Sequence, residues 1–261
     1  MINRRFTGVF TLALFTLLLG SCTNNLEQQS ATPENNVTTE EVADKTNQLL
    51  GKTVTIRSKP IQKLSASTFT ISDQQFFGSE PILVVNATGK PFTFPADPNT
   101  LIQATGQVSK FVVADIEREY KLDLDPNLYT DYENKPAIIA QSLAQAPNPG
   151  EITTDPQQYY GKRLAVTGEV ENITDANSFT LDEDKLFGGQ DLLVLYQNPQ
   201  PKVTENEKVA VTGVLRQFVV ADLERDYNLT WNLDLKRQLE AEYSNKPVLI
   251  ADEVYPSAIP Q

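Results

Sequence analysis

Apolar and polar positions alternate in short runs along most of the chain, the pattern of half-buried β-strands. Val54 and Ile56 alternate with Thr53, Thr55 and Arg57, and further on Leu164 and Val166 alternate with Ala165 and Thr167. A second strand follows each, carrying Phe69 and Ile71 or Phe179 and Leu181. The third is a continuous apolar run, Pro81 to Val85 or Leu192 to Tyr196, which predicts cover on both faces. The fourth ends in ATGQV from Ala104 or VTGVL from Val211, and the last starts with KPAIIA at Lys135 or KPVLIA at Lys246. Proline belongs at that start because it cannot donate within a ladder.

Between the fourth and last strands stands FVVADIEREY, Phe111 to Tyr120, which returns as FVVADLERDY, Phe218 to Tyr227, with eight identities. It reads as a strand end entering a helix, with Asp115 or Asp222 as the cap and Glu117 or Glu224 near the positive helix end. Ile116 and Tyr120, like Leu223 and Tyr227, fall four residues apart on one face. Helical spacing continues in the second copy through Leu235 and Leu239, whereas Pro126 interrupts the first.

The correspondence reaches well beyond the decapeptide. Gly51-Lys52 matches Gly161-Lys162, and Phe77-Gly78 matches Phe187-Gly188, at a spacing of 110. The spacing is 107 at Thr105-Gly106 and Thr212-Gly213, then 111 at Tyr132 and Tyr243. A period of this length is that of a whole small domain and not of a solenoid repeat. The drift places length changes in two connections, where surface loops absorb them at little cost.

The N-terminal residues read as an address. Arg4 and Arg5 precede a mostly apolar run, Phe6 to Leu19, and then Leu19-Gly20-Ser21-Cys22. That run is shorter than the roughly 20 residues of a membrane-spanning helix, so it reads as a secretory signal. LGSC resembles the bacterial lipobox, which implies cleavage before Cys22, lipid attachment to Cys22 and anchoring of an exported protein to a membrane of the bacterial envelope. An ordinary signal peptide followed by a stray cysteine is the competing reading. Residues 23 to 38 are rich in Asn, Gln, Thr, Ser and Glu, the composition of a flexible tether. As a random coil it spans on the order of 20 Å.

Composition then removes whole classes of chemistry. The chain has no histidine and one cysteine, which excludes Ser-His-Asp and Cys-His catalysis, histidine metal sites and zinc-thiolate sites. Loss of Arg4 and Arg5 with the signal leaves 20 Lys and Arg against 34 Asp and Glu, a net charge of minus 14 for the mature chain. Such a surplus repels nucleic acid, whose binders need a basic stripe. No cofactor is implied.

Five short strands per copy, with GK-x-[VL]-x-[IV] near the start, F-x-[IL] in the second and [VA]-TG-x-[VL] in the fourth, resemble the OB fold, a partly open Greek-key barrel. GKRLAVTGEVENITDANSFTLDE, from Gly161, is similar to the opening of bacterial OB-like envelope proteins that lack nucleic-acid binding. The implied fold is mainly β with short helices (α+β), two tandem five-stranded OB-like Greek-key barrels, each with a helix before the last strand. Another small β-barrel is the alternative. Gly168 suits the bend of a first strand that serves both sheets, and Ser58 stands there in the first copy. The usual OB helix lies between strands three and four, so its place here is a departure. The expected organisation is a signal peptide over 1–21, a lipidated tether over 22–38, repeats over 39–143 and 152–256 joined by a linker at 144–151, and a tail over 257–261.

The function expected from this reading is a lipid-anchored, non-enzymatic binding or scaffolding module, with an envelope protein or polymer as partner and no nucleic acid. A carboxylate-based hydrolase is the alternative class, since paired acids work without histidine, and a cation-responsive envelope stress protein is a variant of the first. Candidate partner-binding residues are Asp115, Glu117, Arg118 and Tyr120, their counterparts Asp222, Glu224, Arg225 and Tyr227, and the turn aromatics Phe77 and Phe187. The competing reading of the decapeptide is a capped helix that plugs a barrel end. Phe69 and Phe179 are expected in the core, flanked by acids. Asp123, Asp125 and Asn127 alternate as in a calcium loop, but Leu128 stands where that loop needs glycine.

Overall fold

The computed structural model describes residues 36–73, 80–175, 177–182, 191–196, 203–227 and 231–256. Cys22, Phe77 and Phe187 lie outside them. The described chain is mainly β with short helices. Its first half runs α1 (Thr39–Asp44), α2 (Thr46–Leu49), β1 (Thr53–Lys63), β2 (Thr68–Ser72), β3 (Ile82–Asn86), β4 (Leu101–Lys110), α3 (Val113–Tyr120) and β5 (Pro136–Ala146). Its second half runs α4 (Pro149–Thr154), β6 (Arg163–Asp175), β7 (Ser178–Asp182), β8 (Leu192–Tyr196), β9 (Lys208–Gln217), α5 (Val220–Tyr227), α6 (Leu233–Tyr243) and β10 (Pro247–Pro256). Ala144 to Gly150, expected within a linker, form the end of β5 and the start of α4.

The first strand is shared between two partners, although Ser58 stands where the second copy has the bend glycine Gly168. β1 pairs with β4 from Thr53↔Gln107 to Ser58↔Ile102, then with β2 from Lys59↔Ser72 to Lys63↔Phe69. β2 pairs with β3, β3 runs parallel to β5, and β5 pairs with β4. The ring β1-β2-β3-β5-β4 is thereby a closed mixed barrel, and closure leaves no sheet edge unpaired. Five further strands are bonded outside it through the bridge Gln145↔Leu164. They pair in the same order: β6 with β7, β7 with β8, β8 parallel to β10, β10 with β9, and β9 with β6.

Two apolar layers explain the sequence pattern of the third strand. Ile82 and Val84 face an inner core with Val54, Ile56, Phe69, Ile71 and Ile138, while Leu83 and Val85 face an outer cluster with Phe111, Ile116, Tyr129 and Ile139. In the second half Leu192 and Val194 face inward, and Leu193 and Leu195 meet Phe218, Leu223, Leu239 and Tyr243 outside. A strand buried on both faces needs a continuous apolar run. Val42 of α1 and Ile152 of α4, both 0% exposed, close their inner cores. Burying each such side chain stabilises the fold by roughly 1.5–3 kcal/mol.

The Thr-Gly motif of the fourth strand follows from close packing. A Cβ on Gly106 would lie 2.1 Å from the Ile139 carbonyl oxygen, and one on Gly213 would lie 2.2 Å from that of Ile250. The β4–β5 register shifts at Thr105/Gly106, where the strands cross too closely for any side chain. Gly168 is similarly confined, since its Cβ would stand 2.6 Å from the Asp182 carbonyl oxygen. In the first half Ser58 occupies this place with its side chain buried.

Candidate functional site

The decapeptide lies in the outer layer of each half. Phe111 donates its N–H to the Lys135 carbonyl (2.9 Å) and accepts from Asn134 N–H (2.8 Å), which fixes the chain as it leaves β4. Phe218 makes the same exchange with Lys246 and Asn245. Asn134 and Asn245 both adopt a φ of 63°, a left-handed conformation that asparagine tolerates better than most residues. These tie points hold α3 and α5 against the outer faces of the third and last strands through Ile116 and Leu223.

The expected caps need correction. Helix α3 begins at Val113 behind the N-cap Val112, whose side chain makes no cap, so Asp115 falls within the first turn. The Glu133 carboxylate accepts from Val113 N–H at 3.3 Å instead. Asp222 likewise lies in the first turn of α5. Both acids still favour the positive helix end from there.

The candidate polar residues are engaged with their own chain. Asp115 pairs with Arg118 at 2.7 Å, and Asp222 with Arg225 at 3.0 Å. Glu117 accepts from Leu124 N–H at 3.0 Å, and Glu224 takes Lys236 of α6 at 2.9 Å, so each glutamate ties its helix to the segment C-terminal to it. The Tyr120 hydroxyl donates to Glu119 at 3.0 Å; burial and then that carboxylate raise its pKa. The Tyr227 hydroxyl accepts from Arg216 at 3.3 Å, and the Arg216 guanidinium lies 5.9 Å from the Tyr227 ring centre. Asp226, between Arg225 first and Arg216 second, is held below the ordinary carboxylate range. Asp125, one of the alternating acids, accepts from Asn127 N–H at 3.0 Å as a local turn.

The aromatics of the second strands point inward. Phe69 and Phe179 are 2% and 0% exposed. Phe69 meets Phe92 and Phe94 at ring distances of 5.9 and 5.0 Å, and Lys63 lies 5.6 Å from the Phe94 ring centre. The outward positions of β2 and β7 carry Thr68, Thr70 and Ser72, and Ser178, Thr180 and Asp182. Thr68 shares a buried 2.7 Å hydrogen bond with the Tyr129 hydroxyl.

Two groups stand apart from these pairings, and the alternation pattern alone marks neither. Arg57 projects from β1 to β6, where it donates to the Ala165 carbonyl (3.0 Å) and the Thr167 hydroxyl, and also to Gln103 of β4 (2.9 Å). Arg57 and Thr167 hold equivalent positions, 110 residues apart, so the first strands of the two halves meet at matching sites. Burial pushes the Arg57 pKa down to about 10, and its Nε finds no partner among the described residues. Small side chains, Ala144, Ala146 and Ala165, pack beside it under Leu101.

The second group is acidic. Glu169 pairs in register with Asp182, and the Leu181↔Leu192 pairing brings Asp191 beside Asp182 on the next strand. Glu171 follows on β6, and Glu242 approaches from α6. Burial first, then a hydrogen bond with Glu171 and the charges of Glu171, Asp182 and Glu242, push the Asp191 carboxyl up to about 7. The neighbouring Tyr243 is also raised, by burial and then by Glu242. From the sequence Asp182 and Asp191 are only acids flanking Phe179, and nothing there links them to Glu169, Glu171 or Glu242, because that convergence depends on strand register. No protein-family model matches the chain, and no curated protein matches it.

Proposed function

We propose that this chain is an exported, lipid-anchored envelope protein in which two tandem OB-like Greek-key barrels form a non-enzymatic binding or scaffolding module. The identical pairing order of β1–β5 and β6–β10 supports the tandem reading. The observation that carries the functional reading is the treatment of the faces that OB modules use for bases. The second strands turn their aromatics inward and bury the hydroxyls of their other face, Thr68, Thr70, Ser178 and Thr180, while the third strands are covered by α3 in one half and by α5 and α6 in the other. Among the described residues that leaves no stacking platform on these faces, and the net charge of minus 12 for the full chain opposes a phosphate backbone. Glu117 and Glu224 of the decapeptide tie the helical layer together, while Asp115, Arg118, Asp222 and Arg225 stand exposed as the candidate partner surface. Fluorescence anisotropy of a labelled single-stranded oligonucleotide at low salt is expected to stay at its free value when the full chain is added. Tight binding that weakens with salt would contradict the reading.

A further inference from the structure

We propose that the β1–β2 hairpin of the first half is a docking surface for anionic lipid headgroups, laid on the membrane to which Cys22 is tethered. The inference rests on the proposed lipid anchor and adds which side of the molecule faces the bilayer. Charge along the chain points there first. Lys45 to Ser72 hold five basic residues and no acid, in a chain with 34 Asp and Glu against 22 Lys and Arg. The equivalent stretch of the second half, Asp155 to Asp182, holds five acids and two basic residues.

Strand register makes the contrast position by position. Lys59↔Ser72, Pro60↔Ile71 and Lys63↔Phe69 in the first half correspond to Glu169↔Asp182, Val170↔Leu181 and Ile173↔Phe179 in the second. Lys59 therefore stands where Glu169 stands, and Ile61 where Glu171 stands. Since the same pairing forms with either sign of charge, packing does not account for the lysines.

The hairpin gathers cations and an apolar group at one end of the first barrel. Ile61 is skipped in the pairing with β2, between Pro60 and Gln62, and is 43% exposed. A bulge of this kind re-aims the extra side chain. Lys63 reaches over the Phe94 ring, 5.6 Å from its centre. The Asn86 side chain donates to the Lys90 carbonyl at 2.8 Å, and Asn86 N–H donates to the Ser67 carbonyl in the hairpin turn at 2.7 Å, so the Lys90 segment lies at the same end. Lys59, Lys63 and Lys90 make no ion pair among the described residues, and residues 74–79, outside them, carry no charge. The three acids between Lys45 and Lys110 are engaged elsewhere. Asp73 accepts from Thr39 N–H and hydroxyl at 2.6 and 2.8 Å, Glu80 pairs with Lys135 at 2.9 Å, and Asp97 accepts from Asn99 N–H at 2.8 Å.

The tether reaches far enough for this orientation. From Cys22 to Asn36 it spans on the order of 20 Å as a coil and at most about 50 Å when extended. It joins the fold on β1 itself, where Val37 N–H donates to the Thr55 carbonyl at 3.0 Å. From Thr55 to Lys63 the strand covers roughly 26 Å, within that reach. Screening over about 8 Å at physiological ionic strength lets the charges at the contact decide, and not the net charge of the chain. Lysines held at an anionic surface then favour binding.

A polarity-sensitive, thiol-reactive fluorophore at Ile61→Cys in the lipidated full chain tests the docking, because lipid on Cys22 leaves the introduced thiol as the reactive one. Glu171→Cys, at the equivalent exposed place in the second half, is the control. Each is reconstituted into vesicles of phosphatidylcholine alone or with phosphatidylglycerol. The Ile61→Cys probe is expected to shift to the blue only with phosphatidylglycerol, to return to its free emission in high salt, and to lose the shift when Lys59→Glu and Lys63→Glu are added. The Glu171→Cys probe is expected to stay at its free emission throughout. No shift with phosphatidylglycerol, an equal shift without it, a shift retained in high salt, or an equal shift at Glu171→Cys overturns the proposal, whether or not the lysine variant folds. Flotation separates docking from anchoring. A chain that floats with both vesicles while its Ile61→Cys probe stays unmoved refutes the docking alone, whereas a chain that floats with neither contradicts the lipid anchor and the docking with it.

Discussion

Gly106 and Gly213 show how a two-residue motif acquires physical content. The sequence marks a repeated Thr-Gly, and the structure shows neighbouring-strand carbonyl oxygens where a methyl group would have to go. Gly106→Ala is expected to cost about 3 kcal/mol or more, because the obstructing atoms are backbone and cannot rotate away. Gly89→Asn, where nothing lies within 4 Å of the added carbon but φ is 71°, is expected to cost about 1 kcal/mol, the strain of a left-handed residue that asparagine tolerates better than most. Urea midpoints at unchanged slope check the contrast. Ser58 illustrates the reverse limit: alignment with Gly168 left its bend open, and the backbone at that place admits a buried hydroxyl.

At the scale of elements, the decapeptide belongs to an outer packing layer. Its helical spacing and the proline-started strand after it were legible, because both are local properties of the chain. Its cap was not, since Glu133 reaches Val113 from a turn 20 residues away. The same limit hid the acid corner, which exists only once β6, β7 and β8 are in register. If packing is the role of the decapeptide, Ile116→Ala and Leu223→Ala, both almost fully buried, should each cost about 2–5 kcal/mol. Asp115→Ala removes an exposed ion pair and should cost no more than about 1 kcal/mol. Thermal unfolding of the three variants separates a packing motif from a polar docking surface. Equal destabilisation by all three would refute the packing role.

Across the whole molecule, the end of β5 and the start of α4 fall within the expected linker, and the two halves are joined by Arg57 as well as by the chain. A guanidinium placed between β1 and β6 costs desolvation, which the Gln103, Thr167 and Ala165 bonds offset. The 110-residue spacing made the organisation legible, while the cross-half contact required knowing that the two first strands face each other. The proposed role at an envelope membrane rests on lipid attached to Cys22. The sharpest test of that role is membrane fractionation of the native chain beside Cys22→Ser. The native protein should sediment with membranes and require detergent for release, and Cys22→Ser should appear in the soluble fraction. Retention of Cys22→Ser in the membrane, or native protein free of it, would contradict the lipid anchor.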